Sequence, residues 1–287
     1  MTLVPLIGPS YNLDSRPASV QRTVNLMPVP LEPGNERAGW VLKDVPGLVE
    51  FEEPPLTPCE QAALLLIHGG GTNGSNSFTD FSLYEHVVVA EGASAYGNTY
   101  TFNGQTMFHI PGSVGDAVAI AYESEFAPGD GDFCIEFAFA WAEASIRTIF
   151  QLVDTSSRWP ILIGAEAAPN LRFWVGWNGA TYALQITAPA LDIGNGETWY
   201  GVFQRSGDTF SILLGPEGGT LTEIGSGTYA GSISFEPTAR LVLGKFTGSV
   251  PEQSANVWMS EVRWTSCAHY EDGDPVPTAP HPNPVPA

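Results

Sequence analysis

Two carboxylates, Asp132 and Glu136, stand four residues apart in the run GDGDFCIEFAFAW, residues 129–141. A pair of acids flanking a sugar bond is the machinery of glycoside hydrolysis, one serving as general acid and the other as nucleophile or base. On an extended strand this spacing sets the two backbone positions about 13 Å apart, at ~3.3 Å per residue. Retaining enzymes need carboxyl separations of about 5 Å and inverting ones up to ~9.5 Å, so the pair qualifies only if its side chains lean together. Other chemistry is sparse. His68, His86, His109, His269 and His281 show no metal-ligand spacing and no nucleophile-elbow context, and are expected at turns or on the surface. Gly69-Gly70-Gly71 lacks the Lys-Ser/Thr of a phosphate-binding loop and reads as a strand-ending turn. Cys59, Cys134 and Cys267 match no zinc or redox spacing and are expected as reduced thiols. No metal and no cofactor is expected.

The element carrying the two acids is a β-strand. Side chains alternate faces along a strand, so Phe133, Ile135, Phe137, Phe139 and Trp141 project together, and Asp132, Cys134, Glu136, Ala138 and Ala140 project the other way. Five large apolar residues on one face predict a core strand. The surrounding chain repeats the pattern from about residue 62 to 270, with segments such as 148–153, 171–175, 199–203, 210–214 and 240–243 separated by Gly, Asn, Asp and Pro. Short β-branched and aromatic runs at intervals of about ten residues predict an all-β antiparallel sandwich or barrel.

Composition agrees and excludes some partners. Glycine (31) and proline (24) are frequent and charged residues make up only 15% of 287, which disfavours long amphipathic helices. A formal charge of −20 repels nucleic acid and anionic membranes, so neither is an expected partner. The opening MTLVPLIGPSYNL has no basic leader, and no apolar run approaches the ~18 residues of a membrane span. A soluble protein made in the cytoplasm is expected.

Three regions follow: an arm over 1–58, a sandwich over 59–272 and a Pro-rich tail over 273–287. Prolines recur from Pro5 to Pro58 and break each apolar run, which favours extended backbone. Val24, Leu26, Trp40, Leu42, Leu48 and Phe51 nevertheless need burial, either on the arm's own domain or by docking on another subunit. The tail is expected to be extended.

Gly131-Asp132-Phe133-Cys134-Ile135-Glu136-Phe137 resembles a strand of concanavalin A-like, laminin-G-type jelly-roll domains, which are frequent in bacteriophage virion proteins. Further matches come in the family's order: 64–75 with Phe78-Thr79-Asp80, then Phe102-Asn103-Gly104, Thr198 to Gly207, and Trp258 to Arg263 with Ala268-His269-Tyr270 and Pro277 to Pro280. The resemblance covers about residues 62–282 and implies a jelly-roll sandwich. Glucanases of this fold carry Glu-x-Asp-x-Glu, whereas this chain has Asp132-x-Cys134-x-Glu136. The middle acid is missing. The resemblance therefore implies structural acids that cap a turn and pair near a sheet edge, and a protein that is not an enzyme; a glucanase-like hydrolase is the alternative. Gln21 to Pro28 and Val45 to Phe51 resemble the opening of phage head-to-tail and tail-hub proteins. Together these imply a virion accessory protein of the tail, neck or capsid. Its expected partners are other virion proteins, further copies of itself and a host-surface glycan.

A sugar site needs an aromatic face with polar neighbours. In RFWVGW, residues 172–177, Trp174 shares a face with Arg172, while Phe173, Val175 and Trp177 share the other. One of the two faces must be core. Arg172 and Trp174, with Trp159 nearby, are the candidate exposed glycan-binding group.

Overall fold

In the computed structural model, residues 63–284 are described, apart from 122–123, 142–146, 154–157, 167–169, 177–180, 190–195, 234–239 and 248–252. The arm residues Val24, Leu26, Trp40, Leu42, Leu48 and Phe51 lie outside the described residues. The chain runs through β1 (Ala63–Ile67), β2 (Val88–Glu91), β3 (Ala95–Phe102), β4 (Gln105–Pro111), β5 (Ala117–Ala121), β6 (Phe133–Trp141), β7 (Arg147–Val153), β8 (Ile161–Glu166) and β9 (Asn170–Val175). It continues through β10 (Leu184–Thr187), β11 (Trp199–Ser206), β12 (Thr209–Pro216), β13 (Thr222–Thr228), β14 (Arg240–Leu243), β15 (Lys245–Phe246), β16 (Gln253–Ser254) and β17 (Asn256–Thr265). Among the described residues the helical content is a single 3₁₀ turn, Ser124–Phe126. No helix there is long and apolar enough to cross a membrane.

Two antiparallel sheets face each other. The first has the order β13-β12-β11-β6-β17-β4-β3, with β1 also on β17; the second has the order β10-β9-β8-β7-β14-β5-β2. The expected antiparallel sandwich is what forms. Phe133, Ile135, Phe137 and Phe139 are fully buried between the sheets, against Phe173, Phe203 and Phe210 among others. Edge-to-face pairs such as Phe173–Phe203, with ring centroids 5.7 Å apart, give this aromatic core a defined packing.

β6 is buried on both faces along its whole length. On the side away from the inter-sheet core, Cys134, Ala138, Ala140, Tyr200, Val202 and Leu213 form a second apolar cluster. Its cover is the irregular Pro-rich segment, in which Val276 is 1% exposed and bonds from its N–H to Gly219 O at 3.0 Å. Leu221 N donates to Asp274 O at 2.7 Å, and Asn103 Nδ2 donates to Pro277 O at 3.0 Å. Proline blocks strand formation here, yet the segment is held down through carbonyls and side chains.

β17 serves two partners on one side. Asn256 to Met259 pair with β4, and Val262 to Thr265 pair with β1. The changeover coincides with a register break between Ser260 and Arg263, where Glu261 takes a left-handed conformation with φ of 50°. A β-bulge of this kind re-aims a side chain, and Glu261 is the residue it re-aims. The reading of three reduced thiols is corrected. Cys134 is free and buried, but Cys267 is disulfide-bonded. Spacing rules for metal and redox motifs say nothing about a long-range pair.

Candidate functional site

The two acids have different fates, and neither is placed for acid–base chemistry. Asp132 is exposed at the entry to β6, where its Oδ1 accepts the N–H of Gly207 at 2.7 Å. Gly207 turns the β11–β12 hairpin at φ of 58°, a conformation glycine adopts without penalty. Asp132 thus caps a neighbouring turn, the structural use that the resemblance implies.

Glu136 is fully buried beneath the C-terminal segment. Arg263 Nε donates to its Oε1 at 2.5 Å, and the Tyr200 hydroxyl donates to its Oε2. Tyr270 also bonds to the carboxylate. Burial alone raises a carboxyl pKa, but the charge of Arg263, followed by His281 and the two phenols, brings Glu136 down to about 2. The same surroundings push the Tyr200 phenol and the Cys134 thiol upward, chiefly through burial. An ionised, saturated carboxylate sealed from water serves as a counter-ion. The pair lies at the centre of the first sheet, since β6 sits between β11 and β17, and not near its edge as the resemblance implies.

The seal is a histidine. His281 is 8% exposed, and its Nε2 lies 2.7 Å from the Tyr200 oxygen. Tyr200 has one proton and gives it to Glu136, so Nε2 carries the hydrogen and donates to the phenol oxygen. Burial drives the imidazole pKa down to about 4 despite the nearby carboxylate. His281 is therefore neutral, and the expectation of a turn or surface residue is corrected for it. Its backbone N–H donates to Glu261 Oε2 at 3.0 Å.

His68 holds the same carboxylate from the other side. Nδ1 lies 2.9 Å from Glu261 Oε2, and Nε2 lies 2.7 Å from Asn283 Oδ1. Both ring nitrogens face side-chain oxygens, an arrangement that favours the doubly protonated ring. Its pKa is raised, because the bond and charge of Glu261 outweigh the lowering effect of burial. The carboxylate of Glu261 is correspondingly lowered by His68, against the effect of its own burial. Sequence reading missed this cluster: its members come from the residue after β1, from β6, β11 and β17, and from the chain beyond β17, and no local spacing links these segments.

The aromatic candidates lie on the second sheet. Leu171, Phe173 and Val175 point into the core and are fully buried, so the polar face of β9 points outward. Arg172 and Trp174 share that face, the guanidinium carbon 5.7 Å from the indole centroid. Tyr182 joins them with its ring 5.9 Å from Trp174. β10 completes the platform, setting Gln185 opposite Trp174 and Thr187 opposite Arg172. Trp159 is engaged with other residues. Its Nε1 donates to Thr247 O at 3.0 Å, and its ring packs 4.7 Å from Phe246. Tyr182 was overlooked in the sequence, although the turn after Val175 brings the following residues back alongside β9. Trp177 lies outside the described residues. Among the described residues no group of three or more His, Cys, Asp or Glu could hold a metal ion.

No known protein family matches the chain by sequence, and no curated protein does so either. Solved structures match by fold. The binding domain of Paraclostridial Mosquitocidal Protein 1 superposes with a TM-score of 0.56 at 9% identity, over 74% of this chain and 50% of that one. The binding domain of botulinum neurotoxin DC, in complex with SialylT, gives 0.53 at 16% identity over 74% and 49%. The same toxin's binding domain in complex with rat synaptotagmin II gives 0.54 at 13% identity over 74% and 50%. The chain thus spans about half the length of each of these domains, and the likeness is one of fold.

Proposed function

We propose that this protein is a non-catalytic saccharide-binding module, with Arg172, Trp174 and Tyr182 as its contact platform, displayed on a phage particle that attaches to a host surface. The outward Arg172–Trp174–Tyr182 group carries the reading. An indole beside a phenol offers an apolar face for a pyranose ring, and the guanidinium, Gln185 and Thr187 offer hydrogen-bonding groups for its hydroxyls. Support for a binding role also comes from the neighbours of similar fold, which are binding domains of toxins, one of them in complex with SialylT. The virion role draws its support from the ordered sequence resemblance over 62–282 and from the arm motifs. The rival hydrolase needs a carboxyl group that can exchange protons with substrate. Glu136 is sealed and ionised, and Asp132 is committed to a turn.

Binding of the full chain to an array of bacterial surface saccharides, compared with Trp174→Ala, tests the platform. Signal lost in the variant with unchanged folding supports it; equal signal, or none from either protein, overturns it. Release of reducing ends from any bound saccharide, abolished by Glu136→Gln, would instead establish the hydrolase.

A further inference from the structure

The outer face of the second sheet carries a second aromatic pair besides Trp174 and Tyr182. Trp159 and Phe246 stand with ring centroids 4.7 Å apart, and all four residues are half-buried, each keeping part of its surface in water. Strand register relates the two pairs. Gln185, Trp174, Leu162 and Gln151 stand opposite one another on β10, β9, β8 and β7, so they share one face and form a row across the strands. Trp159 is fastened at the Gln151 end of this row: Thr247 O accepts both Trp159 Nε1, at 3.0 Å, and Gln151 Nε2, at 3.3 Å. Gln151 Oε1 in turn accepts Thr247 N at 3.0 Å, which holds the segment carrying Phe246 against the outside of β7. Underneath, Trp159 rests on the cluster of Ala117, Val153 and Val242.

Two strand spacings separate β9 from β7, which sets the second pair roughly 10 Å from Trp174 at ~4.8 Å per strand. Leu162 fills the interval on β8, outward by register yet only 5% exposed. The four rings therefore form a strip that crosses the strands, up to about 20 Å long with the rings at both ends included. A single pyranose covers a fraction of that length. The row itself holds no charged side chain, and its open polar groups are uncharged: Gln185 in the row and Thr187 beside it are both exposed. An occupant that covers the whole strip must be long, flat and apolar on its faces. Chains of equatorially linked pyranoses have that shape, with C–H faces for the aromatic rings and hydroxyls along both edges.

We propose that the strip binds an unbranched, uncharged chain of equatorially linked pyranoses along its length, with Trp174 and Tyr182 holding one segment and Trp159 and Phe246 a second. This rests on the saccharide-binding reading of the platform and adds to it a chain length and a second anchoring pair.

Titration calorimetry on the full chain, with cello-, xylo- and N-acetylchito-oligosaccharides of one to six units as probes, tests it. At least one series is expected to bind, its affinity rising through roughly four units, the length of the strip, and levelling beyond. Trp159→Ala and Phe246→Ala are each expected to weaken the six-unit chain severalfold, up to about tenfold for one stacked ring, and to leave the two-unit chain unchanged. Trp174→Ala is expected to weaken both. Circular dichroism verifies the fold of each variant; Trp159 also packs on Val242, so Phe246→Ala decides the matter where Trp159→Ala unfolds. Equal affinity for two and six units overturns the proposal, as do undiminished six-unit binding by Phe246→Ala and silence from all three series. A Trp174-dependent signal on the saccharide array, without dependence on chain length, leaves the platform standing while the longer site falls. No signal from any saccharide removes both.

Discussion

The two outer faces of the sandwich are built from similar residues and differ in what the described chain lays over them. On the first sheet, Glu136, Arg263, Tyr200 and Tyr270 bring charge and aromatic rings together under Val276 and His281. On the second, Arg172, Trp174 and Tyr182 bring the same kinds of group together without such a cover among the described residues. Residue type is therefore a poor guide to role. Cover decides whether a carboxylate can trade protons or only balance a charge, and whether an aromatic ring meets a ligand or a neighbour.

The largest effect should come from stranding the covered ion. Arg263→Leu leaves Glu136 buried without its cation and should cost about 3–5 kcal/mol, read as a large fall in urea midpoint. Adding Glu136→Leu to that variant should recover much of the loss, because an apolar pair of similar size carries no desolvation penalty. A double variant no better than the single would show that the pair is not self-contained.

Acid should loosen the cover through His281. Its folded pKa, about 4, lies below the ordinary value of 6.5. The stability it contributes is fully present above pH 6.5 and is lost as pH falls toward 4, up to about 3 kcal/mol at one pKa unit per ~1.4 kcal/mol. His68 works the other way: its raised pKa contributes below pH 6.5 and is lost as pH rises through the folded value. Glu136 adds a loss only at lower pH, between 4.5 and about 2. Thermal melts of the parent should show a slope between pH 6.5 and 4 that His281→Gln lacks. An unchanged slope would remove His281 from the account.

Smaller changes separate the two acids. Asp132→Ala removes one turn-capping bond and should cost about 1 kcal/mol, visible as a shift of a few degrees or less in Tm. On the open face, Trp174→Ala should change stability least, because the ring is only half buried, while reducing saccharide binding by one to three kcal/mol or so, the range for ring stacking with some hydrogen bonding. A Tm loss larger than that of Asp132→Ala would mean the platform is part of the core after all.

The sandwich was legible in the sequence because strand alternation is local. Phe133, Ile135, Phe137 and Phe139 declare a core face within nine residues, and Arg172 and Trp174 oppose Phe173 and Val175 by the same rule. The cover was not legible. His281 lies 145 residues beyond Glu136 in the chain, in a segment whose prolines suggest extension without saying what it lies on. The acids were read as structural, yet the centre-of-sheet position of Glu136 depends on β11 and β17 flanking β6, a matter of topology. The disulfide at Cys267 likewise depends on a pairing that spacing does not encode.

β17 also sets the schedule by which this protein can be finished. It is the central neighbour of β6 and the partner of both β4 and β1, and β1 meets it across some 200 residues of chain. Such distant pairings close slowly, because the entropy of the intervening loop must be lost before any contact compensates for it. During synthesis β1, β4 and β6 therefore emerge from the ribosome well before their shared partner, with unsatisfied edges and the aromatic face of β6 exposed. Nascent chains in that state are prone to pair with one another, so the order of synthesis leaves this sandwich exposed to misassembly until β17 arrives.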